Sequence, residues 1–338
     1  MIKTAEAVSL GHPDKTADYI SSYILDRLID QDRDVRYGVE VMIKDNTVVL
    51  GGEVSGKIDL SSTDVYVKQA LREIGYDETY AAIWQDNAVN INKVKVINLL
   101  NCQSAEIAQG VDLNGWGDQG VFVGYACRGP ELINAELYWA RRLNRALYQK
   151  ARQSNNLGLD IKTQVTMDGD KILTVIVAIP MRQDENLTDF IVAQLEQKPQ
   201  NIIINGTGKY TSHSSIADCG ISGRKLACDF YSTACPIGGG SPWTKDATKA
   251  DLTLNIYARQ LAVENLRDND EAWVYLSSCI GRAECISNVL RLRKGNCYCQ
   301  HNLQINANPR ELITKFELNK PIYAELCRNG LFSRLTAI

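Results

Sequence analysis

Val35-Arg36-Tyr37-Gly38-Val39-Glu40-Val41-Met42-Ile43-Lys44, then Asp45-Asn46, then Thr47-Val48-Val49-Leu50-Gly51-Gly52-Glu53-Val54, reads as a β-hairpin. Val35, Tyr37, Val39, Val41 and Ile43 alternate with Arg36, Gly38, Glu40, Met42 and Lys44, so one face is apolar at a period of two. Asp45-Asn46 supplies the turn. Ahead of the hairpin, residues 15–30 carry Ile20, Ile24 and Leu28 at i, i+4 and i+8, one stripe of a helix. Behind it, residues 62–74 predict a second helix, stopped at Gly75. Residues 88–100 then run extended.

That order recurs twice. Residues 136–152 predict a helix with Leu137, Ala140, Leu143 and Leu147 on one side. Residues 161–167 alternate, Asp168-Gly169 turns, and 171–180 returns. Residues 188–197 predict a short helix and 201–205 a short strand. A third round starts at Ala250, with Leu252, Ile256 and Val263 along its helix. Residues 273–280 and 285–292 flank a turn at Gly281. Residues 308–317 predict a helix with Pro309 at its start, where proline is tolerated, and 321–326 close the round. The expectation is an α/β (α+β) fold. Three similar modules of mixed, mostly antiparallel sheet carry helices on one face, in a pseudo-threefold arrangement. A sheet covered on one side needs cover on the other, which a second subunit can supply.

Composition sets the outer limits. Of 338 residues, 45% are hydrophobic and 23% charged, ordinary for a globular chain long enough for more than one core. A net charge of −3 argues against a general nucleic-acid binder. No apolar run approaches the ~18 residues of a membrane span, and residues 1–6 show no signal-peptide stretch. Ten cysteines without a secretion signal read as reduced thiols, hence a cytoplasmic protein.

Four segments carry chemistry rather than core pattern. Gly11-His12-Pro13-Asp14-Lys15 opens a helix, where anions are favoured; His12 can donate to an oxygen anion and Asp14 can hold a hard cation. A plain helix cap explains the same residues. Asp160-Ile161-Lys162 puts Lys162 on the polar face of a strand, where a solvated lysine is the usual case. Asp218-Cys219-Gly220-Ile221-Ser222-Gly223-Arg224-Lys225 delivers adjacent cations from a glycine-bracketed turn, suited to phosphate. Gly238-Gly239-Gly240-Ser241-Pro242-Trp243-Thr244-Lys245-Asp246-Ala247-Thr248-Lys249-Ala250-Asp251 combines a glycine run with two lysines and a second metal-ready aspartate. A flexible linker explains the glycines equally well. Together the four suit a polyphosphate held by two metals. Neither the P-loop nor the dinucleotide fingerprint is present. Cys297, Cys299 and His301 look metal-like, but their spacing fits no standard zinc pattern.

Glu6-Ala7-Val8-Ser9-Leu10-Gly11-His12-Pro13-Asp14-Lys15 resembles ESVSEGHPDK, the opening signature of the S-adenosylmethionine synthetase (methionine adenosyltransferase) family. Gly117-Asp118-Gln119-Gly120 with Gly124-Tyr125-Ala126 resembles its GDQG…GYA segment. Gly220-Ile221-Ser222-Gly223-Arg224-Lys225 resembles GLTGRK, and Gly238-Gly239-Gly240 with Lys245-Asp246, Lys249 and Asp251 resembles GGGAFSGKDPxKVD. The matches keep the family's order over nearly the whole chain. The resemblance implies an enzyme that makes S-adenosylmethionine, phosphate and diphosphate from ATP, L-methionine and water. It implies two Mg2+ per active site, on Asp14 and Asp251, and K+ on Glu40. It implies His12, Lys162, Arg224, Lys225 and Lys245 as catalytic residues, and ATP contacts from these with Asp160, Lys209, Tyr210, Asp218 and Ser241. Methionine contacts fall on Glu53, Gln103, Asp218 and Lys249. It also implies a homodimer or tetramer with active sites between subunits, and three domains at 1–102, 115–206 and 207–338, with a mobile gating loop at 103–114.

Several positions depart from the family pattern. The family's FVIGGPMGD is Tyr210-Thr211-Ser212-His213-Ser214-Ser215-Ile216-Ala217-Asp218. Leu10 replaces a glutamate, Ile237 a histidine, and Pro242-Trp243-Thr244 the FSG. The chain is short between Met181 and Asn201. The altered loop leaves two alternatives: a non-catalytic ATP-binding regulatory homologue, or an adenosyltransferase for another thioether.

Overall fold

The computed structural model describes residues 1–101 and 115–335. Ten helices and twelve strands are assigned among them. The first round comprises β1 (Ile2–Val8), α1 (Pro13–Ile29), β2 (Arg36–Lys44), β3 (Thr47–Ser55), α2 (Thr63–Ile74), α3 (Glu78–Trp84) and β4 (Lys95–Asn101). The second comprises β5 (Gly120–Cys127), α4 (Ala135–Arg152), β6 (Lys162–Asp168), β7 (Lys171–Ala178), α5 (Thr188–Leu195) and β8 (Asn201–Ile204). The third comprises α6 (Ser214–Ala217), β9 (Gly220–Ile221), α7 (Leu226–Asp229), α8 (Ala250–Leu266), β10 (Glu271–Ser278), β11 (Ser287–Lys294), β12 (Cys297–Asn302), α9 (Pro309–Lys315) and α10 (Tyr323–Asn329).

The three hairpins β2–β3, β6–β7 and β10–β11 each sit at the centre of a four-stranded sheet, with orders β9-β2-β3-β4, β1-β6-β7-β8 and β5-β10-β11-β12. In every case the flanking strand is antiparallel to the first hairpin strand. The fourth strand is parallel in the first two sheets and antiparallel in the third. The flanking strand never comes from its own round. β1 leaves the first round for the second sheet, β5 leaves the second for the third, and β9 leaves the third for the first. The long helix of each round covers the joint: α1 packs on β2 and β9, α4 on β1 and β6, α8 on β5 and β10.

Sequence patterning finds the hairpins and long helices within a residue or two, because period and caps coincide there. Gly75 ends α2 at φ 110° and its N–H donates to the carbonyl of Leu71. Asn308 caps α9 by accepting from the amides of Arg310 and Glu311. The flanking strands β1, β5 and β9 are not singled out in the sequence. β9 is two residues long, and β5 carries Gly120 and Gly124. The segment 297–302, which looks metal-like in sequence, is the exposed edge strand β12. Among the described residues no group of three or more His, Cys, Asp or Glu is placed to hold a metal ion.

Gly124 lets β5 lie directly on α8: a Cβ there would fall 1.8 Å from the carbonyl oxygen of Ala258. Gly124→Val is therefore expected to lower stability by about 3 kcal/mol, the upper end of the usual overpacking range. A lowered urea midpoint at fixed protein concentration and unchanged slope checks this.

Candidate active site

His12 is the N-cap of α1, with φ −64° and ψ 136°, and Pro13 occupies the first turn. Its Nδ1 accepts from the backbone N–H of Asp14 at 3.2 Å. The ring proton therefore sits on Nε2, free to donate. Burial pulls the His12 pKa down to about 4; the cations Lys225 and Lys162 push the same way, against Asp14 and Asp218. The imidazole is thus neutral at pH 7.

Asp14 reaches the loop that follows β9. Its Oδ1 accepts from the N–H of Ile221 at 2.9 Å, and its Oδ2 from Lys225 Nζ at 2.6 Å. Arg224 Nε lies 3.7 Å from the same carboxylate. Burial alone would raise Asp14, but the Lys225 hydrogen bond, the Ile221 amide and the Lys225 charge hold it below the usual carboxylate value. One turn along, Asp18 accepts from the N–H of Gly223 at 2.8 Å. Two aspartates four residues apart on α1 thus fix the turn that presents Arg224 and Lys225.

Asp160 and Lys162 precede and open β6. Asp160 accepts from the N–H of Ser214 at 3.0 Å. Burial raises its pKa to about 7, with Ser214 and Lys162 opposing and Asp218 and Asp14 reinforcing. Tyr210 is half-buried beside it; burial, then the charge of Asp160, raises the phenol. Lys209 stands exposed, donating to the carbonyl of Arg182 at 3.3 Å. The altered loop is tightly held without the family's glycines. His213 packs edge-on to Trp84 at 4.7 Å and bonds Tyr80 Oη at 2.5 Å. Ser214 adopts φ 57°, a left-handed conformation that costs ~1–2 kcal/mol in a non-glycine residue, and spends it on holding Asp160.

A second group gathers around the glycine run. Lys245 pairs with Asp251, and Gly240 touches that carboxylate so closely that a Cβ would collide with it. Burial raises Asp251, the Lys245 hydrogen bond opposes, and Asp118 adds negative charge. Glu40 accepts from the hydroxyls of Ser222 at 2.5 Å and Thr244 at 3.0 Å, so it joins the two loops. Glu53 lies opposite Gly38 in the hairpin, and Gly38 bridges to Lys245. Ser241 Oγ lies where a Cβ at Gly223 would meet it at 3.4 Å. Lys249 Nζ is buried, has no hydrogen-bond partner among the described residues, and approaches Asp246 only at 3.8 Å. Gln103 and the segment 103–114 lie outside the described residues.

The structure thus brings His12, Asp14, Asp160, Lys162, Asp218, Arg224 and Lys225 into one electrostatically coupled group, and Glu40, Lys245 and Asp251 into a second that meets it at Ser222. Sequence reasoning missed the residues underneath. Lys15 Nζ is buried between Asp229 at 2.9 Å and Asp18 at 3.1 Å, with Trp243 over it at 4.5 Å. Trp243 Nε1 donates to Asp229 at 2.8 Å. Trp243, a departure from the family motif, is therefore a core residue. Asp118 was quoted only as part of GDQG; its proximity to Asp251 needs the fold.

Oxygen donors of this kind suit hard cations. Each of Asp14 and Asp251 is neutralised by a lysine from the phosphate-ready set, so a divalent ion could take the carboxylate while the ammonium turns to a phosphate. The comparisons point the same way. Family models for S-adenosylmethionine synthetase match throughout: the N-terminal domain at residues 1–105, the central domain at 113–213 and the C-terminal domain at 213–337. An S-adenosylmethionine synthase of Methylorubrum populi is 34% identical, covering 98% of this chain and 92% of its own length. The enzyme of that name from Pelagibacter ubique is 31% identical over the same shares. A solved structure described as an unusual S-adenosylmethionine synthetase from Campylobacter jejuni superposes with a TM-score of 0.85 at 32% identity, covering 98% of this chain and 94% of that one.

The His12 environment sets an expectation for pH. His12 should titrate near 4, and Lys225→Met should move that midpoint up, because a cation that opposes protonation is gone while burial still holds it below the ordinary value. Since the folded value lies below the unfolded one, this group subtracts stability as pH falls from 6.5 through 4 and is without effect above that window. Nitrogen-detected NMR of the imidazole, assigned with His12→Gln, reads both the midpoint and the Nε2–H tautomer.

Proposed function

The chain belongs to the S-adenosylmethionine synthetase family and catalyses its reaction, and we propose that the two charged groups joined at Ser222 are where it does so. The observation that carries this is the neutral His12, with Nε2–H free, set among Lys162, Arg224 and Lys225.

Methionine sulfur needs no base. Its lone pair attacks C5′ of ATP, the C5′–O bond breaks, and the electron pair leaves on the triphosphate; water then splits the triphosphate into diphosphate and phosphate. The barrier lies in the charge arriving on the leaving oxygen. His12 donates to that oxygen without first having to gain a proton, and Lys162, Arg224, Lys225 and Lys245 hold the phosphate oxygens. Ser241 and Lys209 add polar contacts along the nucleotide, and Tyr210 beside Asp160 offers a flat wall for the base. Holding sulfur and C5′ in line supplies much of the remainder.

Asp14 and Asp251 would hold two Mg2+, and Glu40 K+. When bound, Mg2+ would neutralise charge on the triphosphate. Both Glu40 oxygens already sit in hydroxyl-rich surroundings, which suits a large monovalent ion. For methionine, Lys249 offers a buried ammonium without a hydrogen bond, a natural partner for the carboxylate, with Glu53, Asp218 and Gln103 completing the site.

The outer face of the β9-β2-β3-β4 sheet supports a homodimer. Ile221, Met42, Val49 and Ile97 form one cross-strand row on it, with Leu99 beside them. Ile97 is 47% and Leu99 57% exposed. Glu40 and Glu53 fall on that same face by parity, so a second copy packed there would cover the methionine and K+ positions. Among the described residues no helix is long and apolar enough to cross a membrane. The free thiols go with a reducing, cytoplasmic setting.

Purified protein with ATP, methionine, Mg2+ and K+ should yield S-adenosylmethionine by mass spectrometry; a folded dimer giving none overturns the reading. His12→Ala should lower kcat about 10²–10³-fold, as loss of one oxyanion donor does, with KM little changed. Ile97→Asp with Leu99→Asp should shift sedimentation to the monomer and remove activity together.

A further inference from the structure

A cavity of about 590 Å³ opens on the helical side of the molecule, lined by α4, the start of α1, α10 and the C-terminal end of α2. It shares no lining residue with the charged groups assigned to substrate and metal, although Lys15 and Asp229, which brace those groups from beneath, belong to its wall. Arg141, Arg145 and Arg152 all face it from α4, at spacings of four and seven that put them on one stripe of the helix. Two further cations on its wall are spent locally: Lys15 on Asp229 at 2.9 Å, and Arg328 on Glu73 at 2.7 Å.

Among the described residues the three guanidiniums of α4 have no carboxylate within hydrogen-bond distance. Arg141 donates to the carbonyls of Cys228 and Phe230 at 2.7 and 2.8 Å, and Arg152 to the carbonyl of Glu73 at 2.6 Å. Arg145 donates to the carbonyl of Asn329 at 3.0 Å and reaches a carboxylate, Glu131, only at 4.0 Å. The wall charges therefore sum to about three positive: Lys15, Arg141, Arg145, Arg152 and Arg328 against Glu73 and Asp229. Like charges four apart on a helix repel; Arg141 carries its charge out of water, while Arg145 and Arg152 stand exposed. Burial lowers the Arg141 pKa to about 10, Asp229 opposes, and Arg145 adds to the fall. Leu10 also lines the cavity, at the position where the family signature has glutamate. The missing negative charge is thus a feature of this chain.

We propose that this cavity is a binding site for a small, multiply charged oxyanion, a polyphosphate or polycarboxylate, gripped by Arg141, Arg145 and Arg152. Guanidinium forks match such oxygens, and the volume falls in the range of small-molecule sites.

Isothermal titration of the whole protein with diphosphate and with citrate, without Mg2+, tests this. Because diphosphate can also occupy the nucleotide site, the binding that counts is that which persists in Lys225→Met; at least one anion should show it, and the tighter of the two identifies the class. Arg145→Gln and Leu10→Glu should each weaken that binding at least ten-fold; Lys225→Met, which alters the nucleotide site alone, should leave it intact. Arg145→Gln should keep the basal rate of S-adenosylmethionine formation. Binding of neither anion, or binding lost in Lys225→Met and kept in Arg145→Gln, overturns the proposal.

Discussion

The structure depends on a buried helix that carries charge. Every residue of α1 except Arg27 is buried, including Asp14, Lys15, Asp18 and Asp26. Each needs a partner, since an unpaired buried charge costs several kcal/mol. The partners come from distant parts of the chain: the 220–225 turn on Asp14 and Asp18, Asp229 on Lys15, and the first amides of α10 on Asp26 at 2.8 and 2.9 Å. Ser21 adds the carbonyl of Val39 at 2.8 Å. α1 therefore fixes the 220–225 turn, the glycine-run segment through Trp243 over Lys15, and the C-terminal helix at once. A solvent-facing helix could not impose this, because water would satisfy the same groups.

That helix also marks where sequence reading succeeds and stops. Periodicity located the three hairpins because one face of each strand is apolar, and caps such as Gly75 and Asn308 fixed boundaries. The phosphate and metal candidates were legible as local composition. What joins them was not. Asp18 and Asp229 read as ordinary helix and loop residues, and Trp243 as a departure from the family motif, until the fold sets all three around Lys15. β9, two residues long, has no pattern to detect, yet it delivers the 221–225 turn. Ser214 stands where glycines were expected; its left-handed backbone and its bond to Asp160 depend on His213 filling the space against Trp84.

In the proposed site the charges are paired among themselves: Lys225 on Asp14, Lys245 on Asp251, the Ser222 and Thr244 hydroxyls on Glu40. Substrate and metal arrival then becomes an exchange of partners, in which carboxylates go to cations and ammonium groups to phosphates. Lys249 differs from these cations, since its Nζ has no hydrogen-bond partner among the described residues.

The cyclic lending of strands has a consequence for synthesis on the ribosome. No round can finish its own sheet. β1, made first, has no partner until β6 emerges some 155 residues later. The first hairpin, although complete at residue 55, lacks its flanking strand until residue 221. Sheets close in the order second, first, third, as residues 204, 221 and 302 appear. Such non-local pairing is slow and leaves strand edges bare meanwhile. The pairing therefore couples the three rounds, and a nascent fragment of one or two rounds carries unpaired strand edges of the kind that promote aggregation.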